Sequence, residues 1–153
     1  MAHLEVQTFI AAPPEAVWDV LADIERQGDW MVDVHTLEIV SDTKRGVGTV
    51  MRVTSELFGL PLVKDVMEIT AWDPPRRMDV AHRGQFSGSG SFVLERIENG
   101  TLFIWVEDFQ PPLGRLGATA FAVAVRPHLA RVFARSMANV KRLAEARVAT
   151  PAG

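Results

Sequence analysis

The sequence predicts an α+β domain in which a seven-stranded, curved antiparallel sheet wraps around one long C-terminal helix, with two short helices after the first strand. Three observations carry this expectation. A strand-like alternation near the N-terminus runs straight into an amphipathic helix. Residues 34–110 then read as six short strands divided by turn residues at the spacing of a meander, and the chain beyond Pro111-Pro112 repeats apolar residues at helical intervals. At 153 residues the chain suits one domain with a real core and is too short for two. We assign residues 1–148 to that domain and expect a frayed tail over 149–153.

Each element has its own local cause. Leu4, Val6, Thr8 and Ile10 alternate with Glu5 and Gln7, the pattern of a half-buried strand. Ala12-Pro13-Pro14-Glu15 stops it and starts a helix, because proline is tolerated in a first helical turn and an acid there suits the positive end of the dipole. Val17, Trp18, Leu21 and Ile24 form the stripe that packs this helix on a core, and Gly28 limits a second short helix over Glu25–Trp30. Leu37–Ile39 and Val50–Val53 flank a turn-rich connection from Asp42 to Gly48, and a turn at Phe58-Gly59-Leu60-Pro61 follows. Strands continue over Val63–Trp72, Arg77–His82, Ser91–Ile97 and Thr101–Gln110, separated by Asp73-Pro74-Pro75, Gly84 and Glu98-Asn99-Gly100. The remainder is helical over about 30 residues, or roughly 40 Å, and Pro127 is expected to kink or divide it.

Composition removes several chemistries. With no cysteine and no tyrosine, there is no disulfide framework, no thiolate nucleophile and no cysteine-based metal site, and no phenol to move protons. The histidines at 3, 35, 82 and 128 show no metal-ligand spacing on one helix face, so no metal and no cofactor is expected. Ser87-Gly88-Ser89-Gly90-Ser91 lacks the order of a phosphate loop and does not precede a helix; its glycines read as the bend of a curved strand. The serines lack a recognisable His and Asp partner motif. No apolar run reaches the roughly 18 residues that span a bilayer, and no signal-peptide pattern opens the chain, which favours the cytoplasm.

The order of elements is the helix-grip arrangement. Residues Ile10 to Asp23, Trp30 just beyond, Gly46-Val47-Gly48-Thr49, Asp73-Pro74-Pro75-Arg76-Arg77-Met78 and Asn139-Val140-Lys141-Arg142-Leu143 resemble the START-like (SRPBCC) polyketide cyclase/dehydrase family over about residues 3–146. The resemblance implies a cavity between sheet and long helix for an apolar molecule such as a polyketide, lipid or isoprenoid. It also implies that some members catalyse cyclisation or dehydration. Gly59-Leu60-Pro61 and His82-Arg83-Gly84 resemble in placement the gate and latch loops of plant abscisic-acid receptors, which suggests a lid made by Phe58 and Leu60, the alternative being that these two pack against the C-terminal helix.

A curved sheet gripping one helix leaves space that aliphatic side chains do not fill. On the last strand Thr101, Phe103, Trp105, Glu107 and Phe109 share one face, and the aromatic content points that face inward. Met78 and Phe92 from other strands, Leu129, Phe133 and Met137 from the helix, and Trp30 at the entrance complete the expected ligand wall. Glu107 is then an acid in an apolar cavity, a candidate acid–base group or hydrogen-bond anchor; the competing readings are a salt bridge to Arg52 or Arg126, or exposure at the mouth. Arg52 is a candidate for binding a carboxylate or enolate oxygen, against the outer-face position usual for a strand arginine. His82 is a candidate proton shuttle, against a turn or surface role.

Three functions fit these features. The first is binding of a hydrophobic small molecule, as monomer or homodimer. The second is a cyclase or dehydratase using Glu107, Arg52 or His82. The third rests on charge: seven of the 16 basic residues but one acid, Glu145, follow residue 112. Arg131, Arg135, Lys141 and Arg142 would then dock on a membrane or RNA; binding to DNA is not expected.

Overall fold

A computed structural model describes residues 2–110 and 113–149. Strands β1 (Ala2–Ile10), β2 (Val34–Ile39), β3 (Val50–Leu57), β4 (Leu60–Asp73), β5 (Arg77–Arg83), β6 (Ser87–Ile97) and β7 (Gly100–Gln110) form one antiparallel sheet. Its order is β1-β7-β6-β5-β4-β3-β2. Six strands thus run as a meander, and β1 returns to pair with β7, Val6 opposite Trp105. Register shifts between Ile69 and Ala71 in β4, and near the ends of β2 and β3, mark bulges that bend the sheet. The sheet is curved around the helices.

Helix α1 (Pro14–Leu21) and a 3-10 segment, Ile24–Asp29, follow β1. The first starts at Pro14 with Glu15 in its opening turn, as the sequence suggests, and buries Val17, Trp18, Val20 and Leu21. The C-terminal helical stretch is continuous from 114 to 149: α2 (Gly114–Ala120), a π turn over Phe121–Val125 and α3 (Arg126–Ala149). Pro127 therefore does not divide the helix. The irregularity falls one turn earlier, in the wider π turn, where the Arg126 N–H reaches back to the Phe121 carbonyl and Pro127 follows directly. The expected stop at Pro111-Pro112 and residues 150–153 of the expected tail lie outside the described residues.

The core lies between the concave sheet face, α1 and α3. Ile10, Val17, Leu21, Met51, Ile69, Phe103 and Val140 are almost fully buried, and the Phe133 ring stacks on Trp105 with centroids 4.1 Å apart. Polar side chains fix the helix. The Ser136 hydroxyl accepts from the Val32 N–H at 3.0 Å, and the Asn139 amide donates to the Trp30 carbonyl at 3.1 Å. Further along, Glu145 accepts from the Ala11 N–H at 2.9 Å, and Lys141 donates to the Phe9 carbonyl at 3.0 Å. The buried Thr101 hydroxyl donates to the Ala12 carbonyl at 2.7 Å and locks the end of β1 to β7. These anchors all fall between Ser136 and Glu145, in the C-terminal half of the helical stretch, and leave its N-terminal half facing the concave sheet.

Two boundaries differ from expectation. Leu60 and Pro61 belong to β4, because the turn needs only Phe58 and Gly59 and Leu57 pairs directly with Leu60. Ser87–Ser91 lies inside β6, paired with both β5 and β7.

Candidate functional site

Between the N-terminal half of the helical stretch and the concave face lies a cavity of about 120 Å3. Most of its wall is apolar. Strands contribute Met51, Val63, Met67, Met78, Val80 and Phe92, and the π turn and α3 contribute Phe121, Val125, Leu129 and Phe133. Four of the chain's six methionines, Met31, Met51, Met67 and Met78, touch it. Thioether chains adapt to irregular shapes, so this wall can yield to a ligand larger than the resting space.

One end is polar. On β4 the inward face runs Val63, Asp65, Met67, Ile69; on β5 it runs Met78, Val80, His82; on β7 it runs Phe103, Trp105, Glu107, Phe109. Period-two alternation therefore brings Asp65, His82 and Glu107 onto one surface from three strands. His82 Nδ1 lies 2.5 Å from Asp65 Oδ2, and Nε2 lies 2.9 Å from Glu107 Oε2. The Trp105 indole N–H donates to Glu107 Oε1 at 2.8 Å. The backbone N–H groups of Val66 and Gly84 both donate to Asp65 Oδ1 at 2.8 Å. Each ring nitrogen of His82 faces a carboxyl oxygen, so the doubly protonated ring satisfies both neighbours at once. Burial works against that charge, but the hydrogen bonds to Asp65 and Glu107 and their charges prevail and hold the imidazole pKa up at about 10.

Two glycines make room for the carboxyl groups. A Cβ on Gly84 would stand 2.5 Å from the Cα and Oδ1 of Asp65, and one on Gly90 would stand 2.7 Å and 2.8 Å from the two oxygens of Glu107. Gly90 itself lines the cavity. Asp33 also lines the cavity, and its carboxyl is raised to about 6 by desolvation; the charges of Glu107 and Glu56 add to this, and a hydrogen bond to its own backbone opposes it.

The expected site residues separate into two groups. Met78, Phe92, Trp105, Phe109, Leu129 and Phe133 line the cavity, together with His82 and Glu107. Trp30, Phe103 and Met137 do not: they are buried behind the wall, where Trp30 packs against Phe92 and Trp105. Arg52 is also corrected. It occupies the outward alternation of β3 between Met51 and Val53, and its side chain, 67% exposed, pairs with Glu38 at 3.6 Å. Phe58 and Leu60 do not cover the cavity; both are more than half exposed, and the Phe58 ring lies against His128 of α3. His82 is no turn residue, being 8% exposed within β5, and the partner of Glu107 is this histidine rather than Arg52 or Arg126. Of the four basic residues expected to form a docking face, Lys141 is turned to the Phe9 carbonyl and Glu145.

Asp65 and Asp33 escape the sequence reading. Asp65 is detectable in principle, because it continues the apolar alternation of Val63, Met67 and Ile69 and must point inward with them. Asp33 precedes a strand, where no periodicity assigns a face. Among the described residues no group of three or more His, Cys, Asp or Glu side chains is arranged to hold a metal ion, and no helix is long and apolar enough to cross a membrane.

A sheet gripping a helix around an apolar cavity defines the class of hydrophobic-ligand-binding helix-grip proteins. Solved structures share the fold. A protein of Thermus thermophilus, TTHA0849, superposes with a TM-score of 0.81 at 20% identity, covering 95% of this chain and 99% of its own. The Zhui aromatase/cyclase from Streptomyces sp. R1128 gives a TM-score of 0.69 at 20% identity, with 99% and 98% covered. The Aha1 dimer from Colwellia psychrerythraea gives 0.64 at 19% identity, with 95% and 97% covered. At these identities the likeness is one of fold. No curated protein matches by sequence. The family model for polyketide cyclase/dehydrase and lipid transport matches residues 1–145, and the chain belongs to that family.

Proposed function

We propose that this protein binds a hydrophobic small molecule of the polyketide, lipid or isoprenoid class in the cavity between the sheet and the helical stretch 114–149. The observation that supports it is the form of the cavity: an apolar, methionine-rich wall closed at one end by the Asp65–His82–Glu107 array. Apolar burial, at about 25 cal/mol per Å2, supplies most of the affinity, and the polar end sets orientation. A space of about 120 Å3 is on the order of the ~150 Å3 that holds a benzene ring in an engineered protein cavity. A larger ligand enters by displacing methionine side chains.

Native mass spectrometry of the freshly purified full chain tests this. The expected result is a co-purifying apolar mass that denaturation releases. A bare chain that also takes up no added neutral aromatic compound counts against it.

A second reading is supported by Glu107, a carboxyl group with its own histidine partner beside an apolar space. In that reading the family's cyclase or dehydratase chemistry runs here, with Glu107 taking a proton from an acidic C–H or O–H of the substrate. Glu107→Gln then lowers kcat on a poly-β-keto substrate by a factor on the order of 100 or more. Under binding alone there is no turnover to lose.

A further inference from the structure

The charges around the cavity do not balance. Asp33, Glu56, Asp65 and Glu107 face it with a single cationic side chain, His82, and among the described residues neither lysine nor arginine lines it. That cation has nothing to offer a ligand, since its ring nitrogens already face Asp65 and Glu107. Asp65 is likewise occupied, by His82 and by two backbone N–H groups. Glu107 is different. Each of its oxygens accepts one hydrogen bond, from Trp105 and from His82, and a carboxylate has about four acceptor positions. Gly90, lining the cavity beside it, makes the room in which this carboxyl group lies at the cavity wall, since a Cβ there would stand 2.7 Å from Oε1. The other polar groups on the wall, Gln27, Ser55 and Ser91, are neutral.

From this arrangement we infer that the cavity selects an apolar ligand whose head group donates a hydrogen bond and carries no negative charge, a hydroxyl or a protonated amine seated on Glu107, and turns away carboxylates. The inference rests on the proposed ligand-binding function and narrows its ligand class. A donor head group meets the open acceptor positions of Glu107. A carboxylate meets a lining in which acids outnumber the one cation, His82, whose ring nitrogens are already taken by Asp65 and Glu107, so nothing among the described residues compensates its desolvation. Free fatty acids and other anionic lipids are thereby disfavoured, while alcohols, phenols and amines of the same apolar body are admitted.

Calorimetric titration of the full chain at pH 7.5 with naphthylethanol, naphthylethylamine and naphthylacetate tests the inference. The alcohol and the amine are expected to bind, and the acetate to bind on the order of 10-fold more weakly or not at all. Glu107→Gln should weaken the amine on the order of 10-fold and narrow its lead over the acetate. Where that variant does not fold, Asp33→Asn serves in its place, since removing one negative charge from the cavity wall should raise the affinity for naphthylacetate. Acetate binding as tightly as the amine and the alcohol overturns the charge selection but leaves the cavity as a ligand site. An amine affinity and a lead over the acetate that are both unchanged in Glu107→Gln overturn the role given to Glu107. If none of the three compounds binds, the ligand-binding function itself fails.

Discussion

Gly90 and Glu107 are register partners on β6 and β7, and the glycine's missing side chain is the space in which the Glu107 carboxyl group lies, 2.7 Å from where a Cβ would stand. Gly90→Ala should push the carboxyl group off His82 Nε2. Overpacking of this kind costs about 1–3 kcal/mol, measured as a shift in the urea midpoint. The His82 ring should also titrate at lower pH, read from its NMR shifts. Unchanged stability and an unchanged His82 titration would separate the glycine from the array.

His82 contributes a pH dependence with a definite sign. Its pKa lies near 6.5 in the unfolded chain and at about 10 in the fold, so the folded state holds the extra proton between those values. The stabilisation is fully present below about pH 6.5 and is lost as the pH rises through 10. His82→Leu should flatten stability across that window. It should also cost about 3–5 kcal/mol at neutral pH, because it strands Asp65 and Glu107 buried without their cation. Denaturant midpoints at pH 6, 8 and 10 check both outcomes.

Asp33 acts with the same sign over a lower pH window, but there it is the charged form that the fold disfavours. Its carboxyl is raised from 3.8 to about 6, so the fold favours the protonated form, and this group's contribution to stability declines as the pH rises from about 4 through 6. Above pH 6 the ionised group sits near Glu107 and Glu56. Asp33→Asn should therefore stabilise the protein at pH 8 by about 1–2 kcal/mol and change little at pH 3.5. A destabilised variant at pH 8 would mean that Asp33 has a partner that needs its charge.

Arg52 marks the outer limit of the site. Its guanidinium is exposed and pairs with an exposed Glu38, so Arg52→Ala should alter stability by no more than about 0.5 kcal/mol and leave ligand affinity unchanged. A loss of binding in this variant would require the sheet to present its other face.

The fold is legible in the sequence because its signals are local. Proline at the start of α1, turn residues between strands and the apolar spacing of the helix each act over a few residues, and the strands, short helices and closing helix appear where those signals lie. The inward face is legible on β7, where Phe103 and Trp105 tip the alternation. It is less so on β3, where Arg52 alternates outward between two buried neighbours. The polar array is harder to see, since Asp65, His82 and Glu107 come from three strands and their meeting depends on register, which turn lengths and bulges set. Composition alone makes a lid of the two exposed apolar residues at the β3–β4 turn; nothing in a sequence says how far a hairpin projects.

The central claim, that the space between sheet and helix takes an apolar small molecule at its Glu107 end, is tested most directly by following the Trp105 indole N–H in a two-dimensional NMR titration with naphthylethanol. The account predicts a saturable shift of that resonance, because this N–H is bonded to Glu107 and its ring forms the cavity wall, together with shifts at Leu129 and Phe133 and none at Arg52. A titration that leaves Trp105 unmoved, or shifts only the exposed face at Leu113, Leu116 and Val123, would contradict it.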